Sequence, residues 1–168
     1  MKHAILLTLM LGLAGCGDSV KKPVAAPKPV ITPGMKAAQQ ALDAGTYALA
    51  ARLYAAQVEA ELLEPTPSWV QLSHLYNNLG LALHHAAQYD KALENYRESR
   101  AIKLKQLGPG HNDVATSYNN MAVVYYAKKD LAKAKEYMGK AYAIRLKKLG
   151  SNHPSTKSTK ADLDFLNK

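Results

Sequence analysis

A 42-residue internal repeat constrains this 168-residue chain more than any other feature. The tripeptide Tyr-Asn-Asn occurs at 76–78 and again at 118–120. Twelve positions are identical when residues 69–110 are aligned with residues 111–152. A period of this length is typical of stacked supersecondary units, each of which buries its apolar face against the next. The repeat therefore predicts a binding surface rather than a catalytic pocket.

The N-terminus has the pattern of an export signal. Lys2 provides a positive charge, and the apolar run that follows it is shorter than the roughly 20 residues that a membrane-spanning helix needs. The run ends in Leu-Ala-Gly-Cys at 13–16, and Cys16 is the only cysteine of the chain. This ending resembles the lipobox of bacterial lipoproteins, which implies that residues 1–15 are a signal peptide and that Cys16 carries covalent lipid. The alternative is an ordinary signal peptide that is cut elsewhere.

The same resemblance implies a location. Gly17, not Asp, follows the cysteine, and in Gram-negative lipoproteins this favours the outer membrane, with the protein facing the periplasm. Residues 16–34 then read as a lipidated cysteine and a tether, because four prolines (Pro23, Pro27, Pro29 and Pro33) bar a regular helix. At about 3.1 Å per residue, the stretch after Cys16 would reach roughly 55 Å when fully extended.

Residues 35–168 are predicted to form one all-α domain. Gly and Pro clusters separate helical stretches at regular places, and no run of β-branched residues predicts a strand. The pattern predicts helix pairs at about 35–64, 68–106 and 111–148, followed by a single helix at 153–167 that caps the stack.

Small and large residues alternate in a specific way inside these pairs. Gly80 and Ala122 are small at one aligned position, and Tyr96 and Met138 are large at another. This pattern resembles the tetratricopeptide repeat (TPR), and the 42-residue period with its Leu-Gly-x-x-His linker resembles the kinesin-light-chain subtype. The resemblance implies a short TPR α-solenoid of about three helix pairs plus a C-terminal capping helix.

The TPR resemblance also implies that the first helix of each pair lines a concave groove. The predicted groove residues are His74, Asn77, Asn78, Leu81, Asn119, Asn120 and Tyr126. Asn78 and Asn120 stand where TPR proteins hold a ligand backbone with an amide, which both donates and accepts hydrogen bonds. The alternative is that these side chains cap or cross-link neighbouring helices.

Metal and catalytic chemistry are not predicted. His74, His84 and His85 lack the i, i+4 spacing of a helical metal site, and no nucleophile elbow, phosphate loop or zinc motif occurs. The chain is therefore predicted to be no enzyme and to need no cofactor besides the lipid on Cys16. His111 and His153 recur at the repeat boundary and are predicted to belong to the turn between units.

Basic side chains are concentrated after residue 127, where the sequence contains eleven Lys and Arg and four Asp and Glu. The predicted basic face consists of Lys128, Lys129, Lys133, Lys135, Lys147 and Lys148. A solvated helical surface is one interpretation, and attraction to an acidic partner or an anionic envelope surface is the other. Nucleic acid is not predicted, because the N-terminal pattern predicts export and no recognition motif accompanies the lysines.

Together these features predict an outer-membrane-anchored periplasmic adaptor that holds a peptide or protein partner in its groove. The alternative is an envelope-structural protein whose basic C-terminal face binds anionic glycan or lipid. The oligomeric state is left open.

Overall fold

In the computed structural model, which describes residues 28–168, those residues form seven helices and no strand. The helices are α1 Pro33–Asp43, α2 Tyr47–Leu62, α3 Trp69–His85, α4 Tyr89–Leu107, α5 Asn112–Ala127, α6 Leu131–Leu149 and α7 Pro154–Leu166. Each helix packs against the next in the chain. The all-α prediction of three helix pairs and a last single helix is therefore confirmed, while residues 1–15, Cys16 and the tether up to residue 27 lie outside the described residues.

The first helix begins two residues before the predicted start of the domain. Pro33, which the sequence pattern places in the tether, is the first residue of α1. Proline is tolerated there because its missing N–H would have no helical partner in the first turn. The hydroxyl oxygen of Thr32 accepts a hydrogen bond from the Met35 N–H at 3.1 Å and caps the helix.

The close approach of α3 and α4 depends on Gly80. A Cβ atom at this position would lie 2.9 Å from two ring carbons of Tyr96, whose side chain is buried. A glycine therefore lets the two backbones come together with an aromatic ring between them. In the next pair the aligned residues are Ala122 and Met138, both buried. The flexible methionine side chain leaves room for one more methyl group.

The two histidines at the repeat boundary cap the helices that follow them. The His111 Nδ1 accepts a hydrogen bond from the Asp113 N–H at 3.2 Å, and the His153 Nδ1 accepts one from the Ser155 N–H at 3.1 Å. Both side chains satisfy a backbone donor that the first turn of a helix leaves free. The recurring histidine is thus a helix cap that starts α5 and α7.

A basic side chain near the end of α4 and of α6, which are the second (outer) helices of their pairs, bonds to the first helix of the next repeat. The Lys103 Nζ donates to the Ser117 hydroxyl at 3.4 Å. One repeat later, Arg145 donates to the hydroxyls of Thr159 and, at 3.3 Å, Thr116. These aligned bonds help to hold successive units in one register.

The last helix, α7, carries charged residues at positions where α3 and α5, the first helices of the preceding pairs, carry small or aromatic residues. Asp164 stands at the position of Gly80 and Ala122, and it forms an ion pair with Lys160 at 2.5 Å. A second helix could not pack closely against this charged face without burying the pair. The face is suited to solvent, which is what the end of a helical stack requires.

We expect the substitution Gly80→Ala to lower the free energy of unfolding by about 1–3 kcal/mol, because the added methyl group overlaps the Tyr96 ring. The matched control is Gly139→Ala in α6, where nothing lies within 4 Å of an added Cβ. That control should raise the free energy of unfolding by about 0.5–1 kcal/mol through helix propensity. Urea denaturation measures both effects, and an unchanged midpoint for Gly80→Ala would contradict the packing argument.

Candidate functional site

The predicted groove residues lie on the first helices, α3 and α5, and three of them form a chain of amides. The Asn120 Nδ2 donates to the Asn77 Oδ1 at 3.0 Å, across the two helices. The Asn77 Nδ2 in turn donates to the Asn78 Oδ1 at 3.3 Å. All three side chains are half-buried. The structure therefore contains the cross-link between helices that the sequence left as one of two interpretations.

This cross-link does not use all the hydrogen-bonding capacity of the amides. Asn120 uses one amide hydrogen in the bond to Asn77, and within residues 28–168 its second hydrogen and its carbonyl oxygen make no side-chain hydrogen bond. Asn119, beside it on α5, is half-buried as well. A row of oriented, half-exposed amides is chemically able to bind the N–H and C=O groups of an extended peptide.

Asn78 also faces a cavity of about 290 Å³ toward α1 and α2. Its walls include Met35, Gln39, Tyr54 and His74. The Tyr54 hydroxyl donates to the Gln39 Oε1 at 2.9 Å. Burial raises the pKa of Tyr54, more than a hydrogen bond from Asn78 lowers it. Tyr54 thus remains a neutral donor at physiological pH.

Three apolar side chains form an exposed patch at the other end of the first-helix surface. Val123, Tyr126 and Phe165 are 42%, 46% and 60% exposed. The rings of Tyr126 and Phe165 meet edge to face with centroids 6.1 Å apart. A cavity of about 240 Å³ lies beside them, and Asp162 is its one charged wall residue. We call Val123, Tyr126 and Phe165 the apolar patch.

Phe165 and Asp162 were not among the residues singled out from the sequence. The 42-residue register could have found them, because Phe165 aligns with Leu81 and Val123, and Asp162 aligns with Asn120. Leu81, which was predicted for the groove, is half-buried on α3.

Gln71 is a second residue that sequence reasoning missed. It is buried in the first turn of α3, seven residues and therefore two turns before Asn78 on the same side of the helix. Its side-chain amide bonds to both backbone polar groups of Val30. The repeat offers no signal for it, because the aligned residue in the next unit is Asp113.

The histidines of α3 are engaged in packing. The ring of His85 stacks on Tyr47 with centroids 4.8 Å apart, and His84 lies 5.8 Å from Tyr89. Burial lowers the pKa of His84, and it lowers that of His74, with a further contribution from nearby Lys103. Among residues 28–168, no group of three or more His, Cys, Asp or Glu side chains could hold a metal ion.

The predicted basic face is divided into two groups. Four of its lysines (Lys128, Lys129, Lys133 and Lys135) lie around the start of α6, and Lys147 and Lys148 lie in its last turn. The rise of an α-helix separates Lys133 from Lys147 by about 21 Å. Lys128 pairs with Asp90, and Lys133 pairs with Asp130 at 3.1 Å. Part of the positive charge is thus balanced within the fold.

None of the helices between residues 28 and 168 has the length and apolar character needed to cross a membrane.

Several solved structures share this fold. BtubC (BKLC) from P. vanneervenii is 21% identical with a TM-score of 0.67, and the match covers 77% of this chain and 51% of that one. A putative kinesin light chain with nearly identical TPR-like repeats from Podosopora anserina is 23% identical with a TM-score of 0.68, covering 79% and 63%. This chain therefore spans about half to two thirds of these two proteins.

A smaller protein is also similar. The type III secretion translocator chaperone SycD of Yersinia enterocolitica is 16% identical with a TM-score of 0.59, and the match covers 82% of this chain and 87% of that one. At these identities the likeness establishes the fold alone. No curated protein sequence matches the chain significantly.

The kinesin-light-chain-like subtype stays a prediction. The tetratricopeptide repeat profile matches residues 71–147 and residues 113–163, which together cover more than half of the chain. The protein belongs to the tetratricopeptide repeat family.

Proposed function

We propose that this protein is a lipid-anchored adaptor that holds a peptide or protein partner on the surface of its first helices. The observation that carries the proposal is the pairing of two features on one surface. Half-buried amides (Asn77, Asn78, Asn119 and Asn120) lie on α3 and α5, and the exposed apolar patch lies on α5 and α7 toward the other end of the same surface. The amides can bind a backbone, and the patch can bury an apolar side chain of the same segment.

The partner that fits this surface is a short extended segment. The Asn pair occurs in two repeats, at 77–78 and 119–120, and α7 carries the Lys160–Asp164 ion pair on its exposed face. Asp162 beside the apolar patch favours a basic residue next to the apolar one in the bound segment. The fold shared with a translocator chaperone is consistent with a protein-binding role. We infer that the protein acts by binding and not by catalysis.

The anchor is the second part of the proposal. Lipid on Cys16 would hold the domain at the outer membrane, facing the periplasm, and several acyl chains anchor a soluble domain stably where one would not. A tethered domain raises the local concentration of whatever it binds near that membrane. Localisation and affinity would then contribute together to the capture of a partner.

The alternative, an envelope-structural protein that binds anionic glycan or lipid through its basic face, has weaker support. The six lysines of that face form two groups along α6, with Lys133 about 21 Å from Lys147, and two of the six are paired with aspartates. An anionic surface would therefore meet no single concentrated patch of positive charge.

We expect the double substitution Asn78→Ala and Asn120→Ala to remove at least nine tenths of the partner recovered by crosslinking in cells. The reason is that it deletes the two amides that are placed to bind the backbone of a partner. The matched control is Asn95→Ala on the outer helix α4, where the side chain bonds to its own helix at the Lys91 carbonyl. Recovery should be unchanged in that control. Full recovery with the double variant would overturn the proposed groove.

Charge reversal separates the two functions. Replacing Lys135, Lys147 and Lys148 by Glu should leave partner recovery within about twofold of the wild type, because these residues lie on the outer helix α6. Loss of salt-sensitive binding to anionic vesicles or glycan, together with loss of all partner recovery, would instead favour the envelope-structural alternative.

Cys16→Ser tests the anchor. We expect this variant to move from the membrane fraction to the soluble fraction of the cell, because no acyl chain can then be attached. Membrane fractionation followed by immunoblotting measures the change, and Ser19→Ala is a control in the same segment. A Cys16→Ser variant that stays with the membranes would contradict the lipoprotein assignment.

A further inference from the structure

The backbone of Val30 is held by the side chain of Gln71 in a two-point contact. The Val30 N–H donates to the Gln71 Oε1 at 2.9 Å, and the Gln71 Nε2 donates to the Val30 carbonyl oxygen at 2.8 Å. Gln71 is 5% exposed. One buried amide thus binds both backbone polar groups of one residue, as a neighbouring β-strand would.

The surroundings hold this contact in place on both sides. The Gln71 Nε2 also lies 2.9 Å from the Met35 sulfur, and the Gln71 N–H donates to the Ser68 hydroxyl at 3.3 Å. Two residues after Val30, the Thr32 hydroxyl donates to the Gln57 Oε1 at 2.6 Å. If Val30 left, another backbone or water would have to satisfy a largely buried amide.

The bound segment leads toward the first-helix surface. Lys28 and Pro29 line a cleft of about 360 Å³ between α3 and α5, opposite His74, Asn77 and Thr116. His74 lies in the wall of this cleft and also in that of the cavity at Asn78. Lys28 and Pro29 therefore lie beside Asn77, which is a member of the amide row.

The sequence of this segment suits a backbone contact. Pro29 has no N–H, so Val30 is the donor in this dipeptide, and that fixes which residue meets Gln71. Proline at alternating places also favours the extended polyproline conformation before binding, which lowers the entropy lost on docking.

We propose that Gln71 is a receptor site for an extended proline-flanked backbone, and that residues 28–31 of this same chain are its occupant, at the cleft between α3 and α5. A partner reaches this part of the first-helix surface by displacing the chain's own segment. The competition with a partner rests on the proposed function, whereas the docking of the segment does not. If Cys16 is lipidated, the twelve residue steps from it to Lys28 would span at most about 37 Å when fully extended.

The test is binding of a labelled peptide with the sequence of residues 23–32 to the full chain, measured by fluorescence anisotropy. Val30→Pro in the protein removes the donor and frees the site, and Val30→Ala is the matched control that keeps it. We expect the Val30→Pro protein to bind the peptide at least tenfold more tightly than the wild type and the Val30→Ala protein. Adding Gln71→Ala to Val30→Pro should abolish the binding.

A second measurement does not depend on the peptide. Hydrogen exchange at the Val30 N–H should be at least tenfold faster in Gln71→Ala than in the wild type, with thermal unfolding used to show that each variant folds. Equal peptide affinity in the wild type and Val30→Pro, or unchanged exchange in Gln71→Ala, would overturn the proposal. Neither assay contains a partner, so failure here is distinct from failure of the partner-recovery experiment.

Discussion

The close contact between the two helices of a pair is the constraint on which the rest of the structure depends. At Gly80 the backbone of α3 comes so near the Tyr96 ring that a single added carbon would overlap it. This contact sets the spacing and rotation of the two helices. In the following unit, 42 residues later, Ala122 and Met138 stand at the positions of Gly80 and Tyr96. Because each unit has the same orientation relative to its neighbour, the first helices come side by side.

The surface made in this way changes in character along its length. Leu81 aligns with Val123 in the next unit and with Phe165 in α7, and the exposed fraction of the side chain is highest, at 60%, for Phe165. Asn78 aligns with Asn120 in the next unit and with Asp162 in α7. One end therefore offers amides, and the other offers apolar side chains with an acidic group. The repeat places the first helices side by side, and the differences between repeats make one end of the surface chemically different from the other.

Much of the fold could be predicted from the sequence because helix periodicity, breakers and the repeat are local or short-range signals. Pro33 was misplaced because a proline that bars a helix interior is favoured at the first helical position, and only the start of α1 distinguishes the two. The binding groove stays a prediction. Asn77 and Asn120 are joined by a hydrogen bond, and this bond depends on the spacing of α3 and α5.

The sequence by itself determined the class of the protein, its repeat, its helices and its proline-rich segment, because each of these is written in residues that are neighbours or lie one period apart. Only the tertiary structure decided that Gln71 binds Val30, 41 residues away, and that Lys147 lies far from Lys133. Contacts of this kind have no period and no motif. They arise when packing brings a buried amide and an unpaired backbone to the same place, and there each satisfies the hydrogen bonds of the other.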